Sequence, residues 1–204
     1  MLRSDSRLRL MLAIGLFATW TACTAGDLPT ARIKVGEKMA DFTLPVAASG
    51  AAQSLYALDG KKAVAVIFIA TKCPYSNAFN EIMAKLAREY ESKGVAFLGI
   101  NSNKTEPAAQ VAGHARSNNF DFPVLKDEGN VIADRLGATV TPEVFLLDGD
   151  WTLRYHGALG NSASPTTQAA EATDAELRPA IDALLAGAPV ARAETKAFGC
   201  TIKR

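Results

Sequence analysis

The 204-residue chain sets 22 Lys and Arg against 21 Asp and Glu, a formal net charge of +1. No Lys/Arg cluster and no basic–aromatic stripe runs through it, which speaks against a nucleic-acid partner. About 165 residues remain beyond an atypical N-terminal stretch, room for one domain with a real core.

That stretch does not read as part of the domain. Arg3, Arg7 and Arg9 make a basic start, Leu10 to Trp20 is apolar, and Thr21-Ala22-Cys23-Thr24-Ala25-Gly26 is small and polar. The apolar run is too short to span a bilayer. The order of charge, apolar run and small residues predicts an export signal over residues 1–25 and a tether over 26–36. Trp20-Thr21-Ala22-Cys23 is similar to a bacterial lipoprotein cleavage box, in which the cysteine becomes the lipidated first residue. Simple cleavage after Ala25 is the other reading. The expected location is exported: periplasmic, or lipid-anchored to a bacterial membrane through Cys23. Under either reading Cys23 is lost as a free thiol, which leaves two of the three cysteines, Cys73 and Cys200, in an oxidising compartment.

From residue 37 the elements alternate. Asp41 to Leu44 predicts a short strand, and Ala63 to Ala70 a buried strand apolar on both faces. Pro74 to Lys93 predicts one helix, with Phe79, Ile82, Met83, Leu86 and Tyr90 on its inner face and Gly94 ending it. Val95 to Ile100 is the next buried strand, and a helix with proline in its first turn runs from Pro107 to about Asn118. Phe122 to Leu125 is a brief strand, and Asn130 to Leu136 a short helix stopped by Gly137. Val144 to Leu147 and Leu153 to His156 flank Asp148-Gly149-Asp150 as a hairpin. Gly160 to Thr173, rich in Ala, Ser and Thr, reads as a surface loop. A last helix runs from about Asp174 to Ala186, with Thr173 and Glu176 as a capping box and Pro179 awkward inside it. Helix-linked strands followed by a hairpin and a closing helix predict an α/β sandwich with a mixed central sheet flanked by helices.

Cys73 stands where the apolar strand gives way to the helix, in A-T-K-C-P-Y-S-N. A thiol there meets unpaired amide donors and the positive end of the helix dipole, which favour thiolate. Lys72 adds a nearby positive charge, and Ser76 and Asn77 are candidate donors to the thiolate. Cys200 lies 127 positions further on, in a C-terminal arm. The arm could bring it to Cys73 as a resolving thiol, as a permanent staple, or never. Lys196, Lys203 and Arg204 would lower its pKa if they stay close. Only two histidines, His114 and His156, and no paired metal-ligand spacing argue against an all-protein zinc site. No resident metal or cofactor is expected.

Four stretches together resemble the thioredoxin-like superfamily, in its redoxin or peroxiredoxin-like branch: K-M-A-D-F-T-L-P from Lys38, A-T-K-C-P-Y-S from Ala70, G-A-T-V-T-P-E-V-F-L-L-D from Gly137, and the terminal G-C-T-I-K-R. The resemblance covers nearly all of residues 37–204. It implies a thioredoxin-like fold, with Cys73 at the active-site position and Thr141-Pro142 as a cis peptide lying against it. The backbone before Pro142 would pair with an extended substrate strand. The chain also departs from the pattern. Ser76 stands where thioredoxins keep their second cysteine and peroxiredoxins their peroxidatic one, and Ile67 replaces the buried acid six residues before the first cysteine.

The expected function is therefore thiol–disulfide oxidoreductase-like. Cys73 is the attacking thiolate, Cys200 the candidate resolving thiol and Thr141-Pro142 the substrate platform. Pro74 and Ser76 support the first turn, and Glu143 is a candidate proton acceptor. The partner would be a thiol- or disulfide-bearing protein or a small thiol or peroxide. Two other readings stay open: an atypical thiol peroxidase with an antioxidant role, and a non-catalytic module in which the thiols hold Cu(I) or are locked together.

Overall fold

The computed structural model describes residues 32–161 and 172–204. The expected signal segment, Cys23 and most of the 160–173 loop lie outside the described residues. Residues 32–36, expected as tether, pack on the domain instead. The Gly36 N–H donates to the Leu153 carbonyl at 2.8 Å, and the Arg32 guanidinium reaches the His156 ring at 3.0 Å.

In chain order, β1 (Thr43–Pro45) and β2 (Ala52–Ser54) form an antiparallel pair, and β3 (Ala63–Phe68) enters the central sheet. Next come α1 (Pro74–Ala78), α2 (Asn80–Glu91), β4 (Val95–Asn101), α3 (Ala108–Ser117), β5 (Val124–Lys126) and α4 (Val131–Leu136). The chain continues through β6 (Val140–Thr141), β7 (Glu143–Asp148), β8 (Leu153–Gly157), α5 (Leu177–Leu185) and β9 (Cys200–Thr201). The five-stranded sheet has the order β5-β4-β3-β7-β8. β3 runs parallel to β4 and β4 to β5, while β7 is antiparallel to both β3 and β8. The sheet is mixed, as the pattern of elements predicts.

β3 is buried along its whole length because both of its faces are covered. Ala63, Ala65 and Ile67 join one core with Phe79, Met83, Leu86 and Tyr90 of the α2 side and with Ile181 of α5. Val64, Val66 and Phe68 join the other, with Met39, Phe42, Ile132 and Leu136. Each fully buried aliphatic or aromatic side chain contributes on the order of 1.5–3 kcal/mol of transfer free energy. Ile67 is an ordinary member of this core, with 0% exposure.

Two local expectations are corrected, and three short strands are new. The single helix from Pro74 divides at Phe79, whose φ of −99° and ψ of 2° interrupt it. Phe79 is 4% exposed, and its ring packs in the core at that break. The last helix starts at Leu177 rather than Asp174, and no capping box forms. Pro179 has no N–H to give the carbonyl four residues earlier, so the helix cannot begin upstream of it by a full turn. Finally, β2, β6 and β9 carry only two or three residues each, too few to show a period of two in sequence.

Candidate active site

The approach to Cys73 is held from two sides. The carboxylate of Glu106, 2% exposed, accepts the backbone N–H groups of Thr71 at 2.9 Å and Lys72 at 3.0 Å, and the side-chain amide of Asn101 at 2.6 Å. Burial pushes its pKa up, but these hydrogen bonds to the charged form win and hold it below the ordinary carboxylate value. The Ser76 hydroxyl accepts the N–H of Ala70 at 3.2 Å. The contact Ser76 makes with Cys73 is instead through its own N–H, 3.4 Å from Sγ. Asn77 turns to the carbonyl of Thr71 instead of the thiol. Lys72 is exposed.

Cys73 itself is extended, with φ −86° and ψ 114°, and is the residue before Pro74 at the first position of α1. It is 3% exposed. Because α1 has only five residues, the expected pull of a long helix dipole reduces to the local N–H donors. The thiol donates to the carbonyl of Thr141 at 3.2 Å.

Thr141-Pro142 is a cis peptide. The stretch before it is braced by Glu143, whose carboxylate accepts the N–H groups of Thr139 at 2.8 Å and Val140 at 3.1 Å. His156 Nε2 lies 2.7 Å from the same carboxylate and Arg32 3.6 Å from it. Burial raises the Glu143 pKa, yet the His156 and backbone hydrogen bonds hold it below the ordinary value. An acid so engaged braces the backbone, and its hydrogen bonds go to groups other than the Cys73 thiol. The expectation of a proton acceptor missed its remote partners His156 and Arg32.

The C-terminal arm completes the site. Upstream it runs beside β8: His156 N–H donates to the Ala193 carbonyl, and Thr195 N–H to the His156 carbonyl. Downstream, β9 pairs antiparallel with β6, Cys200 opposite Thr141 and Thr201 opposite Val140. The approach is close, since a Cβ on Gly199 would fall 1.8 Å from the Thr141 carbonyl oxygen. Beyond it Ile202, 2% exposed, enters the second core. Lys203 N–H donates to Asn103 Oδ1 at 2.7 Å, and the Arg204 guanidinium bonds Asp134 at 2.7 Å.

This register puts the Cys200 thiol within hydrogen-bonding reach of Cys73, with the Tyr75 backbone N–H as a further neighbour. Both cysteines are free thiols. Burial, then the hydrogen bond to Cys73 and the charge there, push the Cys200 pKa up to about 11. The Tyr75 N–H and Lys203 pull the other way and lose. The basic tail was expected to lower this pKa; the expectation fails because Lys203 only partly offsets desolvation and a sulfur neighbour. Among the described residues no group of three or more His, Cys, Asp and Glu could hold a metal ion. The thiol pair alone offers two soft ligands of the kind that suit Cu(I).

The family model described as Redoxin matches residues 34–173. The chain belongs to the redoxin family. The match ends before α5, so this redoxin's arm and Cys200 lie beyond it. A hypothetical protein from Sinorhizobium meliloti 1021 is 35% identical, with a TM-score of 0.79 over 85% of this chain and 96% of that one. An uncharacterized conserved protein from Geobacillus kaustophilus is 30% identical, with a TM-score of 0.78 over 84% and 92%. A peroxidoxin from Mycobacterium tuberculosis, 23% identical, shares the fold at a TM-score of 0.57 over 76% and 96%. No curated protein matches. Membership of this family supports a thioredoxin-like redox function, and the neighbours share the fold. No helix among the described residues is long and apolar enough to cross a membrane.

Glu106, Gly199 and Ile202 are the site residues that sequence reasoning missed. Only Ile202, an apolar residue in a basic tail, left a signal that could have been followed.

Proposed function

We propose that this redoxin is an exported thiol–disulfide oxidoreductase in which Cys73 attacks and Cys200 resolves. The observation that carries the reading is the β6–β9 register, which seats Cys200 opposite Thr141, the residue whose carbonyl takes the Cys73 thiol. The two sulfurs divide the work. Cys200, with its pKa at about 11, keeps its proton at neutral pH and can donate it to the Cys73 sulfur. The Ser76 N–H is a second donor to the same sulfur.

The Cys73 thiolate attacks one sulfur of a substrate disulfide, forms a mixed disulfide and expels the other sulfur as thiolate. That step removes the charge on Cys73, and with it part of what holds the Cys200 pKa up. Cys200 then loses its proton, to solvent or to the departing thiolate, and attacks the Cys73 sulfur. The Cys73–Cys200 bond forms, the second substrate thiolate leaves, and two electrons have passed to the substrate. The basic, apolar and small N-terminal pattern supports export, with Cys23 as the candidate anchor.

Mass spectrometry of the protein equilibrated in glutathione redox buffers tests the reading. A bridge with a potential of about −120 to −270 mV supports a cycling pair. A bridge below about −300 mV makes it a staple, and no bridge at all removes Cys200 from the mechanism.

A further inference from the structure

We infer that the C-terminal strand closes the substrate-pairing edge to polypeptides, so that the Cys73–Cys200 pair exchanges with small disulfides and thiols; this rests on the two-thiol reading above. β6 is two residues long, and β9 is its partner in a sheet of two strands. The backbone leading into it is engaged as well. Thr139 gives its carbonyl to the Ile202 N–H, and Glu143 takes the N–H groups of Thr139 and Val140. The Thr141 carbonyl already takes the Cys73 thiol. An incoming strand finds the edge occupied.

The occupant is fitted and tied at both ends. Gly199 passes so close to Thr141 that any side chain there would collide with the carbonyl. Upstream, the Thr195 hydroxyl lies 2.7 Å from the Tyr155 hydroxyl and accepts the Ala158 N–H at 3.0 Å. Downstream, Ile202 is buried and Arg204 is paired with Asp134. All of this holds with both cysteines as free thiols. The strand is therefore in place before any bridge forms, and a protein disulfide meets a closed edge on the reduced molecule. What stays reachable of the pair is Cys200, which is half-buried while Cys73 is buried, and Tyr75 beside them borders a narrow cleft with Pro142, Leu159 and Phe198. A low-molecular-weight disulfide needs no strand pairing. It oxidises the two thiols to the Cys73–Cys200 bond and leaves as two thiols, and an excess of the same small thiol reverses the exchange.

The test compares two oxidants on the reduced protein, oxidised glutathione and insulin, at equal disulfide concentration. Bridge formation is followed by acid quench, alkylation and intact mass. Glutathione should form the bridge faster by about tenfold or more, because insulin lacks the backbone pairs that would hold it. Gly199→Ala, which cannot seat the strand as closely, should raise the insulin rate by about tenfold. Insulin within about threefold of glutathione on the wild-type protein overturns the inference, whether or not Gly199→Ala folds; in free-energy terms that gap is under about 0.7 kcal/mol. A bridge formed with neither oxidant sinks the two-thiol reading itself, a different and distinguishable failure.

Discussion

Closing the Cys73–Cys200 bridge should stabilise this protein by several kcal/mol, about 5 in the chain-entropy treatment. The bridge joins positions 127 apart in sequence. In the chain-entropy treatment a loop of that size removes about 5 kcal/mol of conformational freedom from the unfolded chain at 25 °C. Native strain usually erodes such a gain. Here the arm is already seated with both thiols free, through Ile202, Lys203 and Arg204, so little movement is needed to bring the sulfurs together. For a domain of this size, with about 2–4 °C per kcal/mol, the oxidised form should melt about 10–20 °C above the dithiol form. Oxidation and folding share one thermodynamic cycle. The same energy therefore sets the bridge's potential about 110 mV lower in the folded protein than in the unfolded chain. Circular-dichroism melts with and without dithiothreitol measure the shift, and Cys200→Ser should show none. A shift under about 3 °C, with the bridge verified by intact mass, would refute the argument. It would mean that the bridged native state is distorted, or that the unfolded chain is already constrained.

Three further outcomes follow from the site. Glu106→Ala leaves two backbone N–H groups and the Asn101 amide without their acceptor, so a urea titration should show a loss of about 3 kcal/mol and bridge formation should slow. Glu106, Glu143 and Asp148 are all held below their ordinary pKa values, against burial, by hydrogen bonds to the charged form. Their contribution is complete above the unfolded carboxylate range, about pH 4–4.5, and is lost as pH falls through the folded values. Melts from pH 7 to pH 3 should fall steeply at the acid end, and less so in Glu143→Gln. Alkylation of Cys200 in the reduced protein should accelerate with pH up to about 11, and Cys73→Ser should move that midpoint down, since two of the causes that raise it depart.

The sequence showed the frame of the fold because its central strands and main helices are long enough to carry a period. β3 reads as doubly buried and is; α2 has the right inner face. The place of Cys73 between β3 and α1 was legible because a strand-to-helix junction is a local feature. What stayed hidden was relational. Glu106 acts on Thr71 and Lys72 across some thirty positions, and nothing near it in sequence points there. Glu143 looked like a base because it follows Pro142, whereas its partners His156 and Arg32 come from other parts of the chain. The break falls at Phe79, a buried ring that periodicity treats as one more apolar position. The β6–β9 ladder is two residues long on each side, below the length at which alternation means anything.

In a C-x-x-C site one helical turn presents both sulfurs, so their meeting is a local matter. Here Ser76 fills the second position and Cys200 arrives on a strand, so the two thiols meet only while the arm is seated. Ile202→Ala tests that dependence. Ile202 lies two residues beyond Cys200 and is buried in the core that contains Val64, Phe68 and Leu136. Removing a buried isoleucine side chain costs about 2–5 kcal/mol in a rigid core. In an arm held by a two-residue ladder the loss is capped, because the arm can release once its docking energy is spent. The variant should therefore lose little global stability, while hydrogen exchange at Cys200 to Lys203 accelerates by about thirtyfold or more for 2 kcal/mol of lost docking. Bridge formation should slow with it, as the two sulfurs spend less time in contact. A full-sized drop in global stability with unchanged exchange in the arm would show instead that β9 unfolds only with the domain. The thiol pair would then be a fixed part of the core, not a latch that can open.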